Sequence, residues 1–280
     1  MSGIYAVGTV MSAPSSDPRG FDRSLDWEEA LTGVTAIRKK LATCATGHVL
    51  ETAVGTGRNF KFFNWDRLVQ PHHNDLSIQS NASDTKRTAL MTSFTGVDVS
   101  LDMLEIAKEK INNQIPSAIY GPPNRLHPSR CTGADGGLFN PCKIRLLKLD
   151  SQMVLPPPIM AESDTSPPKY DTVIQSFGLC SINNPDRALE VMASMVKPDT
   201  GRIILLEHGR GWPIINGKLD RNAEYHFHRY GCWYNRDIEA IVREAASRVP
   251  GLVIVTLKRP LFFQLGTLLW IELKMQTVEP

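Results

Sequence analysis

From Phe21 onward, short apolar runs alternate with stretches whose apolar residues recur every three or four positions, the signature of strands alternating with helices. Trp27, Leu31, Val34, Ile37 and Leu41 stand at helical spacing and predict one amphipathic helix with a single face on the body. His48 to Glu51 then reads as a short strand, Thr52 to Gly57 as a glycine turn, and Asn59 to Phe63 as the opening of a helix. A second strand is expected over Phe94 to Val99, and Ser100 can cap the helix that turns Met103, Leu104, Ala107 and Ile111 inward. Ile144 to Leu149 is a third strand ending at Asp150, and Tyr170 to Ser176 a fourth. Asn184 and Pro185 supply an N-cap and an N1 proline for a helix with Leu189, Met192 and Val196 inward. The turn Lys197 to Gly201 delivers a fifth strand, Arg202 to Glu207. Asn235 starts a helix holding Ile238, Ile241 and Ala245, and Leu252 to Leu257 with Thr267 to Leu273 predict an antiparallel hairpin at one edge.

This alternation predicts an α/β fold with a doubly wound sheet. Three stretches break the rhythm: Gln70 to Thr92, Asn113 to Lys143 and Pro156 to Pro168 are rich in Pro, Gly, Ser, Asn or Asp and read as surface insertions. Residues 1–20 are small and polar and read as a flexible arm, leaving 21–280 as a single domain.

Composition narrows the function classes. With 31 Lys and Arg against 29 Asp and Glu, and no long run of one sign, no nucleic-acid partner is expected. The five cysteines are scattered without paired spacing and read as reduced thiols of an intracellular protein. The longest apolar stretch, Leu261 to Ile271, is interrupted by Gln264 and Gly266, so no transmembrane segment is predicted. Oligomeric state leaves no mark in the sequence.

Chemistry concentrates at predicted strand ends. Where strand meets helix, Gly55 and Gly57 let backbone approach a ligand closely. Asp98 ends the next strand, where a carboxylate can accept two ribose hydroxyls. The usual interval between turn and acid is about 20 residues, and the Gln70 to Thr92 stretch lengthens it here. Asp150 ends the third strand, within reach of an adenine amino group. Three consecutive strand ends with compatible polar groups point to a nucleoside cofactor.

The segments Glu51 to Asn59, Gly96 to Leu104, Tyr170 to Ile174 and Lys197 to Gly209 resemble those of class I S-adenosylmethionine-dependent methyltransferases of the UbiE-related group. Phe177 to Ser181, Leu206 to Gly211 and Gly231 to Ile238 are most similar to the fungal mitochondrial Oms-type methyltransferases. The resemblance implies a Rossmann-like, seven-stranded, mostly parallel sheet of order 3-2-1-4-5-7-6 with helices on both faces, and S-adenosylmethionine as cofactor. It places Glu51, Gly55, Gly57 and Asn59 on the methionine side with Ala53 in the same turn, Asp98 at the ribose, Met103, Asp150 and Ser151 at the adenine, and Gln175 near the sulfonium. Two departures stand out. Ala53 occupies the position of the family's usual first glycine and fits there if positive φ is avoided; the membrane anchor or targeting segment of the Oms-type proteins is not found, so the resemblance points to mitochondria while the cytoplasm stays open.

Methyl transfer from a sulfonium is an in-line displacement, so the protein mainly aligns the partners and keeps them dry. Phe177, His208, Trp212, Tyr225, His226, His228, Tyr230 and Trp233 are expected around a hydrophobic or aromatic small-molecule acceptor. His208 is the first choice for a general base and His226 the second. The His226 and His228 pair lacks further ligands nearby, so no metal is expected. The alternatives are a cofactor-binding assembly or stability factor without transfer activity, and a protein methyltransferase.

Overall fold

A computed structural model describes residues 17–65, 68, 90–115, 143–159 and 168–278. Two helices, α1 (Pro18–Leu31) and α2 (Val34–Thr43), precede strand β1 (Gly47–Thr52). Then come β2 (Met91–Asp98), α3 (Leu101–Gln114), β3 (Ile144–Lys148), β4 (Thr172–Ser176), α4 (Pro185–Met195), β5 (Arg202–His208), α5 (Pro213–Tyr230), α6 (Ile238–Arg248), β6 (Leu252–Lys258) and β7 (Leu268–Met275). The sheet has the order β3-β2-β1-β4-β5-β7-β6. The first five strands run parallel, whereas β7 is antiparallel to both β5 and β6. This is the topology the resemblance implies, with the closing hairpin at one edge.

Strand alternation builds both layers. In β1, Val49 joins one apolar cluster with Leu41 of α2 and Leu104, Ala107 and Ile111 of α3. Its neighbour Leu50 faces the opposite cluster, with Leu189 and Met192 of α4 and Val242 of α6. A strand covered on both sides has little room for polar side chains, so those that remain near its carboxyl end, Glu51 and Thr52, are conspicuous.

Several expectations are corrected. The helix expected over Trp27 to Leu41 is two helices, because Gly33 takes φ 71 between them and redirects the chain. Val34 and Leu41 are buried as expected, but Trp27 and Leu31 are exposed. α1 begins at Pro18, inside the stretch expected to be an arm, with Asp17 accepting a hydrogen bond from the Gly20 N–H. Asn59 to Phe63 does not open a long helix: only a 3-10 turn, Phe60–Phe62, forms. Phe60, Phe63 and Trp65 instead collect around Phe94, with Phe60 5.5 Å and Trp65 5.4 Å from its ring, which favours burial over continued helix. α5 was not anticipated, and α6 starts at Ile238 behind Asp237, which caps Ala240, rather than at Asn235. The three expected insertions and residues 1–16 of the expected arm fall largely outside the described residues.

Candidate functional site

Parallel strands end together, so the loops after β1, β2, β3, β4 and β5 meet along one edge of the sheet. A cavity of about 630 Å³ opens there, bordered by Ala53, Gly55, Asp98, Met103, Asp150 and Ser151 on one side. Phe177, Cys180, His208, His226, Tyr230 and Cys232 border the other. This size lies within the range of small-molecule pockets.

The glycine turn is shaped for close approach. Gly55 takes φ 54, and a Cβ built on it would meet nothing within 4 Å, so its backbone faces open space. Its N–H donates to Asp98 Oδ2 (2.8 Å), while the Ser100 N–H donates to Asp98 Oδ1 (2.9 Å). Both oxygens keep a further lone pair. Burial raises the Asp98 carboxyl pKa against these backbone donors. Ala53 takes φ 51, so the condition under which alanine fits without strain, a position that avoids positive φ, is not met. An L-residue held there costs about 1–2 kcal/mol.

Behind the lining lies a buried polar network. The Asn59 Nδ2 donates to Glu51 Oε1 (2.7 Å) and to Ser176 Oγ (3.1 Å). Arg38 Nη1 donates to Asn59 Oδ1 (2.9 Å) and Ser176 Oγ (3.0 Å), and its Nε and Nη2 clasp both oxygens of Glu29 at 2.8 Å. Burial pushes the Glu51 carboxyl up to about 8, against the pull of Asn59 and Arg38. Among the described residues, Glu51 Oε2 has no hydrogen-bond partner. Arg38 was missed in the sequence, although its place between Val34 and Leu41 on the buried helix face was legible.

The expected cofactor residues therefore divide. Ala53, Gly55, Asp98, Met103, Asp150 and Ser151 border the cavity; Glu51, Gly57, Asn59 and Gln175 stand behind it. Gln175 is fully buried, and neither of its amide atoms finds a partner among the described residues. It shares a sheet face with Glu207, since Gln175 is in register with Leu205. Among the described elements the glycine turn is followed by the 3-10 turn, and the helix expected to open over Asn59 to Phe63 is not among them.

On the acceptor side, Phe177 takes φ 57, unusual for a bulky residue, and lies under Arg38 (5.0 Å) and beside His208 (5.0 Å between centroids). His226 and Tyr230, both on α5, border the cavity, with the His226 Nδ1 3.0 Å from the Cys232 carbonyl oxygen and its ring stacked on Tyr234 at 3.9 Å. Burial lowers the His226 pKa. Trp212, Tyr225, His228 and Trp233 do not border the cavity: Trp212 packs on Phe262, Trp233 stacks on Phe227, and Tyr225 and His228 are exposed.

His208 does not stand free. Its Nδ1 is 3.5 Å and its Nε2 3.7 Å from the Cys232 sulfur, and Cys180 completes a cluster in which one ligand atom from each residue lies within 4.8 Å of the others. Burial alone would raise the Cys180 thiol, but Cys232 and His208 outweigh it and hold the group well below the ordinary thiol range. Burial, then the neighbouring Cys180, pushes Cys232 well above that range. The grouping was invisible in the sequence, where the two cysteines are widely separated.

Comparison with solved structures settles the architecture. An O-methyltransferase family protein from Burkholderia thailandensis superposes with a TM-score of 0.53 at 13% identity, over 94% of this chain and 62% of that one. The plantazolicin methyltransferase BpumL, solved in complex with a triazolic desmethylPZN analog and SAH, gives 0.51 at 10% identity, over 92% and 91%. The chain has the class I methyltransferase fold. No protein-family model matches the chain. In sequence it is 29% identical over 231 residues to the mitochondrial methyltransferase OMS1 of Saccharomyces cerevisiae, spanning 80% of this chain but only 39% of that relative. The expected likeness to Oms-type methyltransferases is thus found. Among the described residues, no helix of this class I fold is long and apolar enough to cross a membrane.

Proposed function

We propose that the chain binds S-adenosylmethionine in this cavity and transfers its methyl group to an acceptor, as its likeness to OMS1 suggests. The observation that carries the reading is the pairing of Gly55 and Asp98: a backbone open to the cavity is held by the carboxylate that ends the neighbouring strand. That arrangement suits an adenosine-type ligand, with Asp98 lone pairs left for ribose hydroxyls and Met103, Asp150 and Ser151 along the adenine side. When bound, the cofactor supplies the electrophilic methyl on its sulfonium.

The chain's residues then align and shield. Leu25, Val34, Phe177 and Leu268 border the cavity with apolar surface, which excludes water and favours a hydrophobic or aromatic small-molecule acceptor. For a protonated acceptor, His226 is the better placed base. Its Nδ1 is held by the Cys232 carbonyl, which fixes the tautomer with Nδ1–H as donor and leaves Nε2 as acceptor. His208, the first choice in the sequence, is instead engaged with two thiols. The name of the yeast relative adds mitochondria as the proposed location.

Calorimetric titration with S-adenosylmethionine and S-adenosylhomocysteine tests the reading. Saturable binding, lost in Asp98→Ala, supports it; no binding by folded parent protein overturns it. Radiolabelled transfer to a panel of apolar hydroxyl, amine and thiol compounds then tests the acceptor class.

A further inference from the structure

Cys180, His208 and Cys232 arrive from three separate segments, the turn after β4, the end of β5 and the loop after α5, yet their ligand atoms all lie within 4.8 Å of one another. The scaffold holding them is tied at several points. The Trp233 N–H donates to the Cys180 carbonyl (3.0 Å), joining the two cysteine-bearing loops. Arg236 Nη1 donates to the carbonyls of Leu179 (2.5 Å) and Ile182 (2.6 Å). Glu207 Oε1 accepts from the Gly178 and Leu179 N–H groups (3.0 and 3.2 Å), fixing the turn that presents Cys180. Two thiols and an imidazole thus stand together on a braced frame.

The spacing suits a tetrahedral thiophilic cation. Zinc bonds of about 2.3 Å to sulfur and about 2.0–2.1 Å to nitrogen, opened to the tetrahedral angle, put sulfur and nitrogen about 3.5 Å apart. The His208 to Cys232 separation is 3.5 Å through Nδ1 and 3.7 Å through Nε2. All three residues border the cavity, so a fourth coordination position is available on its open side. Three protein ligands with one open position is the pattern of catalytic rather than purely structural zinc sites.

We propose that Cys180, His208 and Cys232 form a binding site for a soft divalent cation, zinc by ligand set, whose open position faces the cavity. The site exists whether or not the chain transfers methyl groups. Only the role of the open position, to hold a lone-pair donor of the acceptor, rests on the function proposed above. The site does not draw on His228, which lies on an exposed helix face beside Glu224.

The test uses a chain in which Cys44, Cys131 and Cys142 are replaced by Ser, leaving two thiols, kept reduced under anaerobic conditions. Cobalt(II) is the probe. The expected result is saturation at one equivalent, a near-ultraviolet sulfur-to-cobalt charge-transfer band, visible bands of tetrahedral cobalt, and their loss on adding zinc. Cys180→Ala, Cys232→Ala or His208→Ala should each abolish or weaken the signal, with far-ultraviolet circular dichroism confirming the fold. Because a core variant can fail to fold, the unmodified chain provides a second readout: zinc should protect Cys180 and Cys232 from N-ethylmaleimide, located by mass spectrometry, while S-adenosylhomocysteine without zinc should not. Absence of thiolate bands and of zinc protection in folded, reduced protein overturns the site, as does cobalt binding that survives both cysteine variants. Cofactor binding measured on the same sample reports separately on the proposed function.

Discussion

Glu51 is the residue whose chemistry is most exposed to a pH test. It is 1% exposed near the carboxyl end of β1, its carboxyl pKa is pushed from 4.5 to about 8 by burial, and its Oε2 lacks a partner among the described residues. An acid whose folded pKa is raised holds its proton in the native state while the unfolded chain has released it. Stability is therefore fully present below about pH 4.5 and falls as pH rises towards 8, by up to about 1.4 kcal/mol per pH unit. Integrating between pH 5 and pH 7 gives a loss of about 2.5 kcal/mol from this group. Glu51→Gln copies the protonated acid: its amide oxygen still accepts from Asn59 Nδ2, and its amide nitrogen takes the place of the acid's hydroxyl. The variant should lack this fall. Urea or thermal unfolding followed by tryptophan fluorescence at both pH values should show the two proteins diverging by about 2.5 kcal/mol, or about 5–10 °C in Tm, with the variant ahead at pH 7. Parallel pH profiles would falsify the raised pKa and the view of Glu51 as a protonated member of the network.

Other perturbations probe separate parts of the site. Ala53→Gly should raise stability by about 1 kcal/mol by relieving the left-handed backbone, measured by denaturant unfolding; Gly57→Ala should lower it, since the new Cβ would stand 2.3 Å from the Phe60 ring. Arg38→Met should cost about 3 kcal/mol by leaving the buried Glu29 with Arg58 as its remaining ion-pair partner, again read by unfolding. Should the acceptor lose a proton, His226→Ala should lower turnover at least tenfold, in keeping with the loss of a general base, while the Kd for S-adenosylhomocysteine stays unchanged.

Legibility in the sequence followed the range of the physics involved. Period-2 and helical patterns are local, so β1 to β7 and the helices behind Ser100 and Asn184 were readable to within a few residues. The break at Gly33 was less so, because helical spacing continues across it in the sequence while the backbone takes φ 71 and leaves Trp27 and Leu31 outside. α5 was missed for a related reason: only Leu219 and Ala223 on it are buried, since its remaining inward face borders a cavity rather than a core, and the apolar stripe that marks an ordinary helix is thin. The site shows the same division. Residues at consecutive strand ends, Gly55, Asp98 and Asp150, were recognisable because a parallel sheet aligns them. Arg38 reads as one more solvated charge until the helix face is drawn, and Cys180, His208 and Cys232 share no spacing rule at all. What joins them is topology: β4 and β5 are adjacent, so the turn after one and the end of the other meet, and α5 carries the chain back across that edge to deliver Cys232. A ligand set assembled in this way is found by asking which loops a strand order brings together, a question that becomes answerable once the order itself has been read.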